Sequence, residues 1–390
     1  MIKKIAILGS TGSIGESSLK VIINDRKNFK ITLLSANSNY LTIKKQIQKF
    51  KPKFFVVNNK VIFKKIKKKF IRSKTKIINK FSDISKNIKF DITISSIVGI
   101  AGLEPTIFFT QKSKKILIAN KESIICGWHL LKKISKKYKT KIIPIDSEHF
   151  SIYQLTKNYK DSDIKKIYIT ASGGPFLKKP LNFFKKAKAN DAAKHPNWKM
   201  GKKISIDSSN LMNKVFEVVE AYKLFPFNKN KYDILIHPQS LIHAIVLFNN
   251  GQCKFLYHET DMRIPIANAL YDNQINIKNV FQSKSNFLNN LQHLRFEKVD
   301  KKKFPIVTLL KKNIYDNSTS IILNASNEIL VNNFIESKLS FNGIYYSIRR
   351  IFKDRDFNKY AVKKTPSLNE IFKIDNWARK KTEEIINKYR

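Results

Sequence analysis

Asp146-Ser147-Glu148 places two carboxylates two residues apart, directly after an apolar stretch at residues 141–145. In an extended segment, residues i and i+2 share a face. Two carboxylates on one face at a strand's C-terminal end suit a hard divalent cation, which takes oxygen ligands. A third carboxylate could come from Glu217 or Glu220 on the segment at residues 212–221, and the residues alone do not choose between them. Without context, an Asp-x-Glu pair is more often a solvated strand end.

A second set of residues suits a phosphate. Ser172-Gly173-Gly174-Pro175 ends another strand, and Asp207-Ser208-Ser209-Asn210-Leu211-Met212-Asn213-Lys214 leads into a helix. Serine hydroxyls, an Asn amide, a Lys ammonium and a helix start together make an anion cradle. Each alone is commoner as a turn residue or cap, but a Lys inside a run of small neutral residues points to a ligand. Between these segments lies His195-Pro196-Asn197-Trp198-Lys199-Met200-Gly201, a polar loop around a large aromatic. A lid that closes over substrate fits it. His237 and His243 are six residues apart, which matches no standard metal motif, so both are expected to make structural hydrogen bonds.

Near the N-terminus, Gly9-Ser10-Thr11-Gly12-Ser13-Ile14-Gly15 follows an apolar run and opens an amphipathic helix expected over residues 16–23. Glycines let the backbone turn tightly and approach a pyrophosphate, while the helix start offers N–H groups and the positive dipole end. The spacing is G-x-x-G-x-x-G rather than G-x-G-x-x-G, so its place on the first strand-turn-helix is what gives it weight. No Asp or Glu follows the second strand, at Ala36-Asn37-Ser38-Asn39, which favours NADP over NAD. The Arg expected for a 2′-phosphate is also absent there, and Lys44 and Lys45 are nearby candidates.

These groups need elements to hold them. Apolar runs at residues 4–8, 29–36, 54–57, 91–95, 115–119 and 141–145 alternate with longer amphipathic segments, the βαβ pattern of a doubly wound parallel sheet. Residues 146–270 mix strands (166–171, 234–236, 245–248, 253–257) with Gly/Pro loops and read as an α+β domain. Residues 271–300, rich in Asn, Gln and Ser, read as a linker, and 301–390 as a helical domain with helices at 325–337 and 368–389. The expected fold class is therefore α/β: a Rossmann-like cofactor domain over 1–145, a central α+β domain and a C-terminal helical domain.

The composition fits. The 390 residues are 42% hydrophobic, enough to build cores. Two cysteines exclude a disulfide scaffold or a cysteine-only metal site. No apolar run is long enough to span a bilayer, and the N-terminus does not read as a signal peptide, so a soluble, cytoplasmic protein is expected. The net charge of +46 invites a nucleic-acid reading, but only nine of the 75 basic residues are Arg, the base-edge reader. The Lys excess accompanies Ile and Asn, all encodable by A/T-only codons, so the run Lys64-Lys65-Ile66-Lys67-Lys68-Lys69 reads as a solvated helix face. A semialdehyde dehydrogenase, the nearest rival, needs a nucleophilic Cys, and neither Cys126 nor Cys253 has an activating context.

In this order the segments resemble one family, the 1-deoxy-D-xylulose 5-phosphate reductoisomerases. The resemblance covers essentially the whole chain. It includes the glycine loop, Ala119-Asn120-Lys121-Glu122-Ser123, Asp146-Ser147-Glu148-His149, the lid, Ile204-Ser205-Ile206-Asp207-Ser208, Met212-Asn213-Lys214, Asp261-Met262-Arg263 and Leu323-Asn324-Ala325-Ser326-Asn327-Glu328. It implies an NADPH-dependent homodimer that binds no specific nucleic acid and no membrane. The chain would isomerise and reduce 1-deoxy-D-xylulose 5-phosphate to 2-C-methyl-D-erythritol 4-phosphate with Mg²⁺ or Mn²⁺. Carried over position by position, it places Thr11, Gly12, Ser13, Ile14, Asn37, Ser38, Asn39, Asn120, Glu122 and Gly201 at the cofactor, and Asp146, Glu148 and Glu217 at the metal. Ser172, His195, Ser208, Asn213 and Lys214 would hold the phosphate end of the substrate, Lys121, Ser147 and Glu148 would lie near its reacting carbons, and Glu217 would also contact the substrate. The catalytic set would be Lys121, Glu148, His195 and Trp198, with Met200 beside Trp198 on the lid. Two departures stand out. The family's Gly-Lys-Asn after the second strand is Asn37-Ser38-Asn39, which removes a basic contact to the 2′-phosphate. Its Gly-Leu after Met-Asn-Lys is the bulkier Val215-Phe216.

Overall fold

The computed structural model describes residues 2–85, 87–198, 201–282, 286–362 and 364–389. Seven strands, β1 Lys3–Leu8, β2 Phe29–Ala36, β3 Phe54–Val57, β4 Lys76–Ile78, β5 Phe90–Ser95, β6 Ser113–Ile118 and β7 Lys141–Pro144, form one sheet in the order β4-β3-β2-β1-β5-β6-β7. Every pairing is parallel. Parallel strands covered by helices on both faces read as unbroken apolar runs, and Ile5 to Leu8 and Phe54 to Val57 are indeed buried without alternation. The strand order reverses at β1, between β2 and β5, so the crevice at the C-terminal ends opens there. β4 escapes a reading of the sequence because it is a three-residue edge strand with an exposed Lys. The helix Lys60–Lys69 buries only Ile66, so its lysines are a solvated face as expected.

This sheet and its helices belong to a compact unit of Met1–Ser123, His129–Phe150 and Asp261–Lys284. The last segment returns late in the sequence. Its helix Arg263–Leu270 packs on helix Ser13–Ile23. Tyr271 stacks edge-on against Phe29 at 5.0 Å and donates to Asp25 at 2.6 Å, and Lys115 pairs with Asp272 at 2.8 Å.

The second unit comprises Ile124–Trp128, Ser151–Thr260 and Ser285–Arg390. Its sheet holds β8 Ile164–Ala171, β9 Tyr232–Ile236, β10 Ile242–Phe248, β11 Cys253–Tyr257 and β12 Glu297–Lys298, in the order β11-β10-β8-β9-β12. β8 and β9 are parallel and the other pairings antiparallel, so the sheet is mixed. The stretch 271–300 contributes β12 and the helix Phe287–Gln292. The C-terminal part is helical. Helix Asn317–Ile335, buried along most of its length, packs against Phe341–Ile351 and Leu368–Lys388. The last of these starts on a capping box between Ser367 and Glu370. No helix of the described residues is long and apolar enough to cross a membrane.

Candidate active site

In the first unit the chemistry gathers at the C-terminal ends of β1, β5, β6 and β7. Gly9 turns the chain out of β1 at φ +83°, where a Cβ would lie 2.7 Å from the Ser96 carbonyl oxygen. A Cβ on Gly15 would collide with the Gly9 carbonyl, so the loop closes only with glycine at both places. The helix starts at Ser13, earlier than residue 16, because Glu16 N–H already bonds the Gly12 carbonyl. Thr11, Gly12, Ser13 and Ile14 therefore cluster at a helix start whose first N–H groups have no intrahelical acceptor. Asn37, Ser38 and Asn39 are exposed, and Asn39 uses its side chain to cap helix Tyr40–Phe50, accepting from Thr42 N–H at 3.1 Å.

Asn120 caps helix Lys121–Tyr138, accepting from Ser123 N–H at 2.9 Å. Its amide donates to the Ile97 carbonyl at 2.6 Å and to Glu122 at 2.9 Å. Gly9 touches Ser96 and Asn120 reaches Ile97, so the glycine loop and the Asn120-Lys121-Glu122 turn border one crevice.

Asp146 and Glu148 do not share a face through strand alternation. β7 ends at Pro144 and a helix runs over Ser147–Thr156, so the pair straddles a helix start. The Asp146 carbonyl accepts Phe150 N–H at 2.8 Å, and its carboxylate accepts Glu148 N–H at 3.3 Å. Backbone capping thus replaces the expected extended geometry, because an Asp at this point satisfies helix N–H groups. Lys121 stands 3.9 Å from the Asp146 carboxylate and buried His149 3.2 Å. Burial pushes the Asp146 carboxyl up, but Lys121 and His149 outweigh it and hold it well below the usual carboxylate range. Ser147 donates to Glu148 at 2.6 Å, and Glu148 is buried. No role for His149 is legible in the sequence beyond the i, i+3 spacing from Asp146 across a helix start.

The second unit carries the residues expected to form the phosphate cradle. Ser172 Oγ lies 2.9 Å from His195 Nε2 and accepts Gly174 N–H at 3.1 Å. His195 Nδ1 accepts two backbone N–H groups, Asn197 at 3.1 Å and Trp198 at 3.0 Å. Nδ1 is therefore the unprotonated nitrogen, and Nε2–H donates to Ser172. Burial and the nearby Lys214 ammonium push the His195 imidazole down to about 4, so it is neutral at pH 7. With its oxygen accepting twice, Ser172 has its own O–H to give.

Asp207, Ser208 and Ser209 form the end of a helix, Lys202–Ser209, rather than a lead-in loop; the helix of the cradle, Met212–Leu224, begins after Asn210 and Leu211. Asn210 accepts Met212 N–H at 2.8 Å, and buried Leu211 holds φ +67° to make the tight link. A Cβ on Gly174 would lie 2.6 Å from the Ser208 carbonyl, so the turn after β8 rests directly on that helix end. Asn213, Lys214 and Glu217 occupy one face of their helix, with Lys214 2.7 Å and Asn213 2.5 Å from the Glu217 carboxylate. All three are buried, as is Glu220. Val215 and Phe216 sit inside the core, which absorbs their bulk.

Trp198 is half-buried, its ring 6.0 Å from that of His243 in an edge contact. Asn197 pins the loop, donating to the Pro238 carbonyl at 2.6 Å and Ser240 at 3.1 Å. Met200 lies outside the described residues, and Gly201 is exposed at the start of helix Lys202–Ser209. His237 and His243 make structural hydrogen bonds, to the Arg295 carbonyl at 2.8 Å and the His258 carbonyl at 3.2 Å.

A doubly wound parallel sheet opening on a glycine loop, followed in the same chain by a mixed sheet and helices, defines an α/β protein of the dinucleotide-binding class. The chain belongs to the 1-deoxy-D-xylulose 5-phosphate reductoisomerase family. Residues 5–127 match the model of 1-deoxy-D-xylulose 5-phosphate reductoisomerase, and residues 142–225 and 258–381 match two models of the enzyme's C-terminal domain. The chain is 45% identical over 382 residues to the 1-deoxy-D-xylulose 5-phosphate reductoisomerase of Pelagibacter ubique, covering 96% of this chain and 97% of the relative. It is 37% identical to one from Bacillus cereus over the full length of both. A crystal structure of DOX-P reductoisomerase with NADPH, fosmidomycin and magnesium superposes with a TM-score of 0.91 at 31% identity, covering 99% of this chain and 98% of that one. The Zymomonas mobilis enzyme in complex with NADPH gives 0.88 at 30% identity, with 99% of each chain covered.

Proposed function

We propose that this chain catalyses the NADPH- and divalent-metal-dependent isomerisation and reduction of 1-deoxy-D-xylulose 5-phosphate to 2-C-methyl-D-erythritol 4-phosphate, in the non-mevalonate route to isoprenoids. The observation that carries the reading lies along the C-terminal ends of one parallel sheet: a glycine loop after β1 that admits only glycine at its two crossings, and the Asp146 and Glu148 carboxylates after β7, with Lys121 3.9 Å from Asp146. The loop suits a dinucleotide pyrophosphate, and Asp146, Glu148 and Glu217 are an all-oxygen donor set suited to Mg²⁺ or Mn²⁺. NADPH supplies the hydride and the cation supplies Lewis-acid charge to the substrate oxygens.

The residues of the chain do the rest. Thr11, Gly12, Ser13 and Ile14 hold the pyrophosphate, and Asn120, Glu122 and Gly201 complete the cofactor contacts. Asn37, Ser38 and Asn39 border the 2′-phosphate without a cation. Ser172, His195, Ser208, Asn213 and Lys214 bind the substrate phosphate, whose remote binding energy orients the reacting carbons. Lys121, Ser147 and Glu148 lie beside those carbons, and Trp198 closes the lid against water. In this division residues 1–145 serve the cofactor, 146–270 the substrate and metal, 271–300 link, and 301–390 support. The chain works as a cytoplasmic homodimer: its two cysteines, one buried and one exposed, form no disulfide among the described residues, which fits a reducing compartment, and edge strand β11, with Phe255 49% exposed, suits pairing with a second copy.

The test is NADPH oxidation on mixing with 1-deoxy-D-xylulose 5-phosphate and Mg²⁺ or Mn²⁺. Oxidation should vanish without substrate or with chelator, and NADH controls should measure the effect of Asn37-Ser38-Asn39. No oxidation by folded protein that binds NADPH would refute the reading.

A further inference from the structure

Two segments singled out in the sequence have no role in the site as described: Asp207 beside Ser208, and Asn327 in the helix Asn317–Ile335. The fold joins them. Asn327, fully buried, donates from Nδ2 to the Asp207 carboxylate at 2.8 Å across 120 residues of sequence. Asp207 is itself buried, and Lys203 one turn earlier lies 3.6 Å from its other oxygen.

We propose that Asn327 is a positioning residue for the phosphate cradle, acting through Asp207 to set the direction in which Ser208 presents its hydroxyl. Successive residues on a helix point about 100° apart. Holding Asp207 against helix Asn317–Ile335 therefore fixes the rotation of helix Lys202–Ser209, and Ser208 with it. The opposite constraint comes from Gly174, whose lack of a side chain lets the Ser172 turn rest on the Ser208 carbonyl. Ser172 and Ser208 are thus set against each other by one contact without a side chain and one hydrogen bond to a carboxylate. A hydrogen bond to a buried charged group is among the stronger polar contacts in proteins and is directional, so the helix phase depends on it.

The inference rests on the assignment of Ser208 to the substrate phosphate, and its test keeps the two separable. Inorganic phosphate binding is measured by calorimetry alongside steady-state kinetics with 1-deoxy-D-xylulose 5-phosphate, for the parent, Asn327→Ala and the exchange variant Asn327→Asp with Asp207→Asn. Asn327→Ala should raise the substrate KM and weaken phosphate binding about tenfold, leaving kcat and the NADPH KM within about twofold. The exchange variant restores the amide–carboxylate pair and should bring both back to within about threefold of the parent. Unchanged phosphate affinity in Asn327→Ala would overturn the proposal. So would a fall in kcat, NADPH affinity and Tm together that the exchange variant fails to reverse, since that is a structural role only. If the parent binds phosphate but does not turn over this substrate, the functional reading fails while the phosphate comparison still decides the role of Asn327.

Discussion

Replacing Lys214 by Ala separates the two jobs its neighbours do. In the structure the Lys214 ammonium sits 2.7 Å from the Glu217 carboxylate, with side chains only 10% and 2% exposed. Removing one partner of a buried ion pair typically costs ~3–5 kcal/mol, because the other charge stays desolvated. Asn213, at 2.5 Å, still donates to Glu217 and tempers the loss, so about 3 kcal/mol is expected without metal, a fall of roughly 4 °C in Tm for a chain of this length. If Glu217 ligates a cation, saturating Mg²⁺ supplies the missing charge, and most of that fall should disappear. The parent, which already has its ammonium, should gain less from Mg²⁺. Thermal melts of both proteins with chelator and with Mg²⁺ make the comparison, and the substrate KM of Lys214→Ala should rise at least tenfold with metal present. An equal Tm deficit with and without Mg²⁺ would take Glu217 out of the metal site. An unchanged KM would take Lys214 out of the phosphate cradle.

Gly15→Ala drives a Cβ into the Gly9 carbonyl, so the loop must open. NADPH affinity, followed by fluorescence, should fall at least tenfold, and normal affinity would show that the loop does not hold the pyrophosphate. His195 has a depressed pKa, about 4 against an ordinary 6.5, so folding favours its neutral form. The stability it contributes is complete above pH 6.5 and is lost as pH falls toward 4. NMR of the His195 ring should show one Nε2–H tautomer throughout pH 6–8, and a titration midpoint above 6 would refute the assignment.

Much of the sheet is legible in the sequence, because the buried parallel strands carry apolar runs such as Ile5 to Leu8 and Phe54 to Val57 and the glycine loop announces the first turn. Residues 29–36, 54–57 and 253–257 form strands with the ends expected of them. β4 and β12 are not legible, since two or three residues at a sheet edge bury too little to leave a pattern. The local state of a polar segment is also poorly encoded. Asp146-Ser147-Glu148 is chemically consistent with a strand end or a helix start, and the hydrogen bonds of its carbonyl and carboxylate to Phe150 and Glu148 decide for the helix.

The residue types that could do the chemistry are written in the chain: carboxylates at Asp146 and Glu148, hydroxyl, amide and ammonium groups at Ser172, Asn213 and Lys214, and a glycine loop of the kind that suits a pyrophosphate. Those are properties of residue type and of spacing within a few residues, which the chain carries before it folds. The state of those groups is set by folding. His195 is neutral with its proton on Nε2 because two backbone N–H groups and burial make it so. Asp146 stays ionised because Lys121, from the turn after another strand, stands beside it. Asn327 meets Asp207 across 120 positions of sequence. Protonation, tautomer and helix phase depend on distances between residues far apart in the chain, and those distances exist only after folding.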